Sequence, residues 1–245
     1  MTDALFLAEL DSPQVGDEVT VSGDEGRHAV SVRRIRVGET VLVADGAGTA
    51  VRGPVTSTER SAMTLTVDEV LHTPQSPLRL AVAQGLAKGD RAELAVETMT
   101  ELGVDEIVPW PAARSIVKWD PERAQRGLTR WRAAAREATK QSRRYRVPTV
   151  GFPSDTGALV QRIPQTALTL VLHEDAEVGL ADVELPASGE ILMIVGPEGG
   201  IAPEELDAFT KAGGVPVSIS DGVLRTSTAG VAALAQVRAL LAARR

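Results

Sequence analysis

The chain has 245 residues, 43% of them hydrophobic and 24% charged, with a net charge of −7, values of a globular protein with a real core in one large domain or two small ones. It has no cysteine, which excludes disulfides, thiolate metal sites and a cysteine nucleophile, and His28, His72 and His173 are too scattered for a metal site. No stretch approaches the ~18 apolar residues that span a membrane, and the opening Met-Thr-Asp-Ala-Leu-Phe has no basic segment leading into an apolar run, so no signal peptide and a cytoplasmic protein are expected.

Residues 1–72 read as β-rich. Glu18-Val-Thr-Val-Ser, Glu39-Thr-Val-Leu-Val and Ala62-Met-Thr-Leu-Thr-Val alternate or run apolar over strand length. Asp45-Gly46 and Arg52-Gly53-Pro54 read as turns between strands, and short strands at this spacing predict a small barrel. Gly46-Ala-Gly48 is expected to be a hairpin turn and not a dinucleotide loop, because the third glycine is misplaced and Val51-Arg-Gly-Pro reads as extended. Leu71-His-Thr-Pro-Gln-Ser-Pro77, with two prolines, reads as a linker.

Beyond it the pattern changes. Leu80-Ala-Val-Ala is a short apolar run, a helix is expected from about Asp90 to Leu102, and Ile107-Val108 is strand-like. A long helix follows, with Asp120 at the N-cap and Pro121 at the first helical position. Leu128, Trp131, Ala135 and Ala138 share one face of it, with Arg126, Arg130, Arg136, Lys140 and Arg144 roughly opposite. Residues 114–146 carry eleven Arg/Lys against Asp120, Glu122 and Glu137, a local charge of +8 that leaves −15 for the remainder. With few acids interleaved to form i,i+4 pairs, this face is expected to meet phosphates, the competing reading being a solvated helix face. Further buried strands are expected at 169–172 and 191–195, a helix from Pro203-Glu204-Glu205, a strand at 217–219 and an Ala-rich helix from about Thr228. Strands alternating with helices predict a mainly parallel sheet with helices on both faces.

The strand at 191–195 ends in Gly196-Pro-Glu-Gly-Gly200, and the strand at 217–219 runs into Ser220-Asp-Gly-Val-Leu-Arg-Thr-Ser-Thr-Ala-Gly230. Neither loop has a G-x-x-x-x-G-K-[ST] or G-x-G-x-x-G pattern. Two strand-end loops on one edge of a parallel sheet define a crevice for a small molecule. The glycine loop, with Glu204 or Glu205 behind it, and the Leu224-Arg225-Thr226 segment leading into the last helix resemble the RsmE family. These are S-adenosylmethionine-dependent methyltransferases acting on N3 of a uridine in 16S rRNA. Three more blocks follow the same family in order: His28 through Arg33-Arg34 to Gly38, Lys88-Gly-Asp-Arg91 with Glu101-Leu-Gly-Val, and Glu137-Ala-x-x-Gln141-Ser-x-Arg144 with Pro148.

The resemblance implies a PUA-like RNA-binding β-barrel over 1–72. Over 73–245 it implies an α/β SPOUT methyltransferase domain, with a parallel sheet and a C-terminal trefoil knot. It further implies a homodimer, S-adenosylmethionine as cofactor and 16S rRNA of the small ribosomal subunit as partner, without metal or membrane. The cofactor positions carried over are Leu172, Gly196, Glu198, Gly199, Ile219, Leu224 and Thr226. Arg33, Arg34, Lys88, Arg91, Lys140, Arg143 and Arg144 are nominated for RNA, the first two on the small domain and the others on the large one. Arg225, permanently cationic at the loop edge, is the expected catalytic residue that stabilises the uracil anion; its competing roles are ordering the knot or pairing with Glu198. The family pattern is departed from at Ser220, Gly222 and Ser227, where a glycine, an arginine and a glutamate are usual, so a base role for that glutamate has no counterpart here. The alternatives are a non-catalytic RNA-binding or ribosome-assembly factor, a SPOUT methyltransferase with another target nucleotide, and a nucleotide- or sugar-phosphate-using α/β enzyme.

Overall fold

The apolar runs become the strands of two separate sheets, one mixed and one wholly parallel. The computed structural model describes residues 3–244; Met1 and Thr2 of the expected first domain and Arg245 of the expected second lie outside the described residues. The chain divides into two compact units. The first reaches to Gln75 and takes in Arg136–Val147, and the second holds Ser76–Ala135 and the chain from Pro148 onward.

The first unit contains β1 (Ala4–Leu7), β2 (Glu18–Val21), α1 (Gly23–Arg27), a π-helical turn (His28–Val32), β3 (Thr40–Ala44), β4 (Thr49–Glu59), β5 (Ala62–Thr66) and β6 (Glu69–His72). The sheet order is β1-β3-β4-β5-β2, with β6 also on β4. The first half of β4 pairs with β3 and β6, and after an irregularity between Val55 and Ser57 its second half pairs with β5. Such a bulge bends a strand, and the sheet wraps a core of Phe6, Val21, Val41, Val43, Val51 and Leu65. Among the described residues β1 and β2 remain edges, so the expected barrel is a partly open one.

Two readings of this unit are corrected. Arg52-Gly53-Pro54 is not a turn but the middle of β4, and a Cβ on Gly53 would lie 1.8 Å from the Thr66 carbonyl oxygen. The glycine marks a close crossing of backbones. Leu71 and His72 belong to β6, paired with Ala50 and Thr49, so the expected linker begins as strand. Gly46-Ala-Gly48 does turn β3 into β4: the Asp45 carboxylate accepts the N–H groups of Ala47, Gly48 and Thr49 at 2.7, 2.9 and 2.9 Å.

The remaining elements are β7 (Leu78–Gly85), α2 (Arg91–Glu101), β8 (Glu106–Trp110), α3 (Pro121–Gln141), β9 (Thr149–Val150), α4 (Thr156–Arg162), β10 (Leu168–Leu172), β11 (Gly189–Val195), α5 (Pro203–Lys211), β12 (Val215–Val217) and α6 (Thr226–Ala242). The sheet order is β12-β10-β11-β7-β8-β9, and every adjacent pair is parallel. Covered on both faces, its central strands need near-continuous apolar sequence, which β7, β10 and β11 supply. On one face Ala81, Ala83, Leu192 and Ile194 pack with Leu159, Ile163 and Phe209. Elsewhere α6 packs on β7, β11 and α2. The Asp120 carboxylate accepts the Arg123 N–H at 2.9 Å, and Leu128, Trp131, Ala135 and Ala138 are all buried, as the stripe on α3 predicts. Among the described residues no helix is long and apolar enough to cross a membrane.

At the N-terminal edge of the parallel sheet, Arg162 joins two carboxylates in an ion cluster. Its guanidinium lies 2.6 Å from Glu106 and 2.9 Å from Glu190. Burial works against the Arg162 charge, but the hydrogen bonds to both carboxylates outweigh it and hold the guanidinium above the ordinary arginine range.

Candidate functional site

At the opposite, C-terminal edge, β10, β11 and β12 each end in a loop, and together the three loops wall a cavity of about 300 Å³. That size lies at the lower end of small-molecule sites, and the C-terminal edge is where open parallel sheets bind ligands. The loop after β10 supplies His173 and Glu174, the glycine loop after β11 supplies Gly196 to Glu198 with Gly200 and Ile201, and the segment after β12 supplies Ser218 to Ser220 and Gly222 to Arg225. Of the seven expected cofactor positions, Leu172, Gly196, Glu198, Ile219, Leu224 and Thr226 line this cavity and Gly199 does not. A Cβ on Gly199 would instead press against Arg114 at 3.1 Å, and the Gly199 carbonyl accepts from the Arg114 guanidinium at 3.3 Å.

The loops are held by buried polar groups that the sequence reading missed. Gln84, fully buried near the end of β7, donates from Nε2 to Thr226 Oγ1 at 3.0 Å. Thr226 Oγ1 in turn donates to the Gly196 carbonyl at 2.8 Å. One amide and one hydroxyl thus tie the start of the glycine loop to the start of α6. Behind the loop, the buried Glu205 carboxylate accepts from Ala113 N–H at 2.9 Å, Thr156 Oγ1 at 2.7 Å and Ala202 N–H at 3.2 Å. Replacing Thr226 by Val keeps the shape but strands the Gly196 carbonyl and leaves the Gln84 amide only its longer bonds, at 3.3 Å, to the Gly85 and Thr226 carbonyls. Urea unfolding should show a loss of about 1–3 kcal/mol, and Thr226→Ser, which keeps the hydroxyl, should restore most of it.

Arg225 stands at the N-cap of α6, solvent-exposed and in the cavity lining. Among the described residues no ion pair holds it. Glu198, its expected partner in the competing reading, is engaged elsewhere: it accepts the Lys88 N–H at 2.9 Å and lies 3.9 Å from the Arg91 guanidinium. Ser227 is buried and does not line the cavity.

The residues nominated for RNA separate into distinct groups. Arg33, Arg34 and Arg143 are exposed in the first unit, and Lys88 and Arg91 are exposed in the second. Arg144 is half-buried, and it, Lys140 and Arg143 fall in the first unit, not with the parallel sheet as expected. Lys140 is a correction. Its side chain is only 9% exposed and its ammonium is paired with Glu25 at 3.2 Å and Glu137 at 2.8 Å, so it braces the first unit and is not available to phosphate. Ion pairs recur along α3, though on exposed arginine side chains: Arg123 pairs with Asp120, Arg126 with Glu122, Arg130 with Glu93 and Arg136 with Glu25. Two of these acids come from α1 and α2, which the local charge count could not reveal.

Residues 74–238 match a family model described as an RNA methyltransferase domain, and residues 21–68 match an RNA methyltransferase PUA domain. The ribosomal RNA small subunit methyltransferase E of Mycobacterium tuberculosis is 44% identical over 232 residues, 93% of this chain and 88% of that protein. The Bacillus subtilis protein of the same name is 29% identical over 242 residues, 95% of this chain and 94% of its own. A crystal structure of ribosomal RNA small subunit methyltransferase E from Neisseria gonorrhoeae bound to S-adenosyl methionine has a TM-score of 0.87 and 29% identity, covering 98% of both chains. An alignment that runs through both units at this identity places the chain in the ribosomal RNA small subunit methyltransferase E family.

Proposed function

We propose that this protein is an S-adenosylmethionine-dependent methyltransferase that modifies N3 of a uridine in 16S rRNA of the small ribosomal subunit. The observation that carries the reading is a strand-end cavity with a permanent cation, Arg225, in its wall and no carboxylate pairing it among the described residues. A non-catalytic RNA-binding factor gives no reason for that arrangement.

The donor set fits the cofactor. Apolar Leu172, Ile219 and Leu224 suit an adenine ring, and the Glu198 carboxylate suits a molecule that carries ammonium and sulfonium charges. Gly196 and Thr226 would hold it through the loop backbone that Gln84 fixes, with Gly199 supporting that loop from outside the cavity. When bound, the cofactor supplies an electrophilic methyl group. The protein's part is to make N3 nucleophilic. The N3–H of uracil is a weak acid, so the site must favour the anion, and a guanidinium beside the developing charge does so.

The first unit is the RNA-binding part in this reading, with Arg33, Arg34 and Arg143 meeting phosphates and with Lys88, Arg91 and Arg144 contributing. Removing one cation that meets a phosphate reduces the salt slope by about one. Arg34→Glu should therefore weaken RNA binding and flatten the logarithmic dependence of affinity on salt, measured by filter binding. An unchanged slope removes Arg34 from the interface. A C-terminal trefoil knot and a homodimer belong to the same proposal. Support for the knot is the return of the chain after β12 to bond Thr226 with both Gly196 and Gln84. Support for the dimer is the family resemblance, together with Val223, an apolar side chain 78% exposed in the cavity lining.

The direct test is methylation in vitro of small ribosomal subunits and of naked 16S rRNA, with the product nucleoside identified by mass spectrometry. The expected product is 3-methyluridine. A different methylated nucleoside would make this a methyltransferase of another target, and no incorporation with intact cofactor binding would favour an assembly factor.

A further inference from the structure

We infer that Glu174 is the group that takes the N3 proton from the target uracil. The inference rests on the methyltransferase reading above and supplies the base that Ser227 cannot.

Five side chains able to carry charge line the cavity: Arg91, His173, Glu174, Glu198 and Arg225. The two arginines are always protonated and cannot accept a proton. His173 Nδ1 accepts the Asp175 N–H at 3.2 Å. Its neutral ring therefore carries hydrogen on Nε2, leaving no lone pair for the substrate. Glu198 is held through one oxygen, Oε1, which accepts the Lys88 N–H at 2.9 Å and lies 3.9 Å from Arg91, so its carboxylate is already committed to bracing the loop. Of the two carboxylates, Glu174 is the one without a partner among the described residues. It is exposed, and among the described residues no hydrogen bond or ion pair engages its carboxylate. It also reaches over the glycine loop: a Cβ on Gly200 would lie 4.0 Å from Glu174 Oε1 and 4.0 Å from Arg114 Nη1. Gly200 has φ +73°, a conformation that favours glycine, so the loop keeps this position bare.

In the step assigned to Glu174 the N3–H bond breaks, an O–H bond forms on the carboxylate, and the electron pair stays on N3. That pair makes the new bond to the methyl carbon as the carbon–sulfur bond breaks with its electrons on sulfur. The proton then leaves the exposed carboxyl group for water. Arg225 in the same lining holds the uracil charge between proton loss and methyl transfer.

The test is Glu174→Gln in the full chain, assayed on small ribosomal subunits from neutral to alkaline pH. A positioned base contributes about 10²–10⁴-fold, so kcat at neutral pH should fall by at least about 10²-fold. The deficit should shrink as pH rises, because hydroxide then removes the N3 proton without help. Two measurements should not move: S-adenosylmethionine affinity by calorimetry and the midpoint of urea unfolding. Glu174→Asp, which keeps a carboxylate, should recover part of the rate. Full activity of Glu174→Gln at neutral pH overturns the assignment, as does a deficit independent of pH. Lost cofactor affinity overturns it as well and makes Glu174 a cofactor ligand. If the wild type makes 3-methyluridine and only the Glu174→Gln result fails, the enzyme reading stands without this base; if the wild type makes none, both fall.

Discussion

Arg225→Ala should lower kcat for rRNA methylation by about 10²–10³-fold, the usual cost of removing one preorganised stabiliser of a developing anion, while S-adenosylmethionine affinity changes little. The geometry separates the two quantities. The Arg225 backbone forms the start of α6, its carbonyl accepting the Thr228 and Ala229 N–H groups at 2.8 and 2.9 Å, and these bonds survive the substitution. The side chain is exposed, and among the described residues it holds no carboxylate whose loss would disturb the loops. The change therefore removes charge from the cavity wall and leaves the wall standing. Arg225→Lys should recover only part of the rate, since an ammonium is a point charge without the planar fork that can meet a uracil oxygen edge-on. Single-turnover kinetics and calorimetry on the same preparations decide the matter. A parallel loss of cofactor affinity would falsify the catalytic assignment and return Arg225 to a structural role.

The largest effect on stability should come from the other edge of the sheet. Arg162→Met removes the one cation that Glu106 and Glu190 share, leaving two carboxylates that are 17% and 18% exposed without their partner. One-sided removal from a buried pair costs about 3–5 kcal/mol. With a quarter of the Arg162 side chain exposed, about 3 kcal/mol is expected, or roughly 6–12 °C in thermal midpoint. Adding Glu106→Gln and Glu190→Gln to Arg162→Met should recover much of that loss, because neutralising a whole cluster costs less than breaking it from one side. Arg79, 3.5 Å from Glu106, gives that carboxylate a second and weaker partner. A melt unchanged in Arg162→Met would show that solvent already screens the cluster. Cofactor affinity below the transition should match the wild type, since this cluster and the cavity lie at opposite ends of the strands.

The legible parts of the molecule were those whose cause is local. Residues 191–195 and 169–172 read as buried strands because a parallel sheet covered on both faces needs unbroken apolar sequence. The Asp120-Pro121 start of α3 follows from capping chemistry within a single turn. The crevice itself was likewise legible, because strand-end loops on a parallel sheet meet at one edge whatever their sequence separation, while the individual lining positions came from the family resemblance. The illegible parts are long-range. Nothing near Lys140 announces Glu25, 115 residues away, which turns an expected phosphate contact into an internal brace. Gly53-Pro54 looks like a turn until the Thr66 carbonyl is seen against the glycine. Gln84 reads as an ordinary polar residue at a strand end. Only the folded structure places α6 against its amide. Glu174 was missed because a lone exposed acid carries no pattern; it stands out only once the other chargeable groups around the cavity have been accounted for.

The Gln84–Thr226 hydrogen bond joins residues 142 positions apart in the chain. Contacts of such separation must overcome a loop-closure entropy before they contribute anything, and a fold that depends on them folds slowly. Ligand competence should thus wait on this closure and lag the local secondary structure of the refolding chain. In a stopped-flow experiment, secondary structure would return first and cofactor binding would follow in a slower phase, timed by the docking of α6. Cofactor present during refolding would then trap the docked form by mass action, and the protein would gain a stabilising partner at the moment its site is complete.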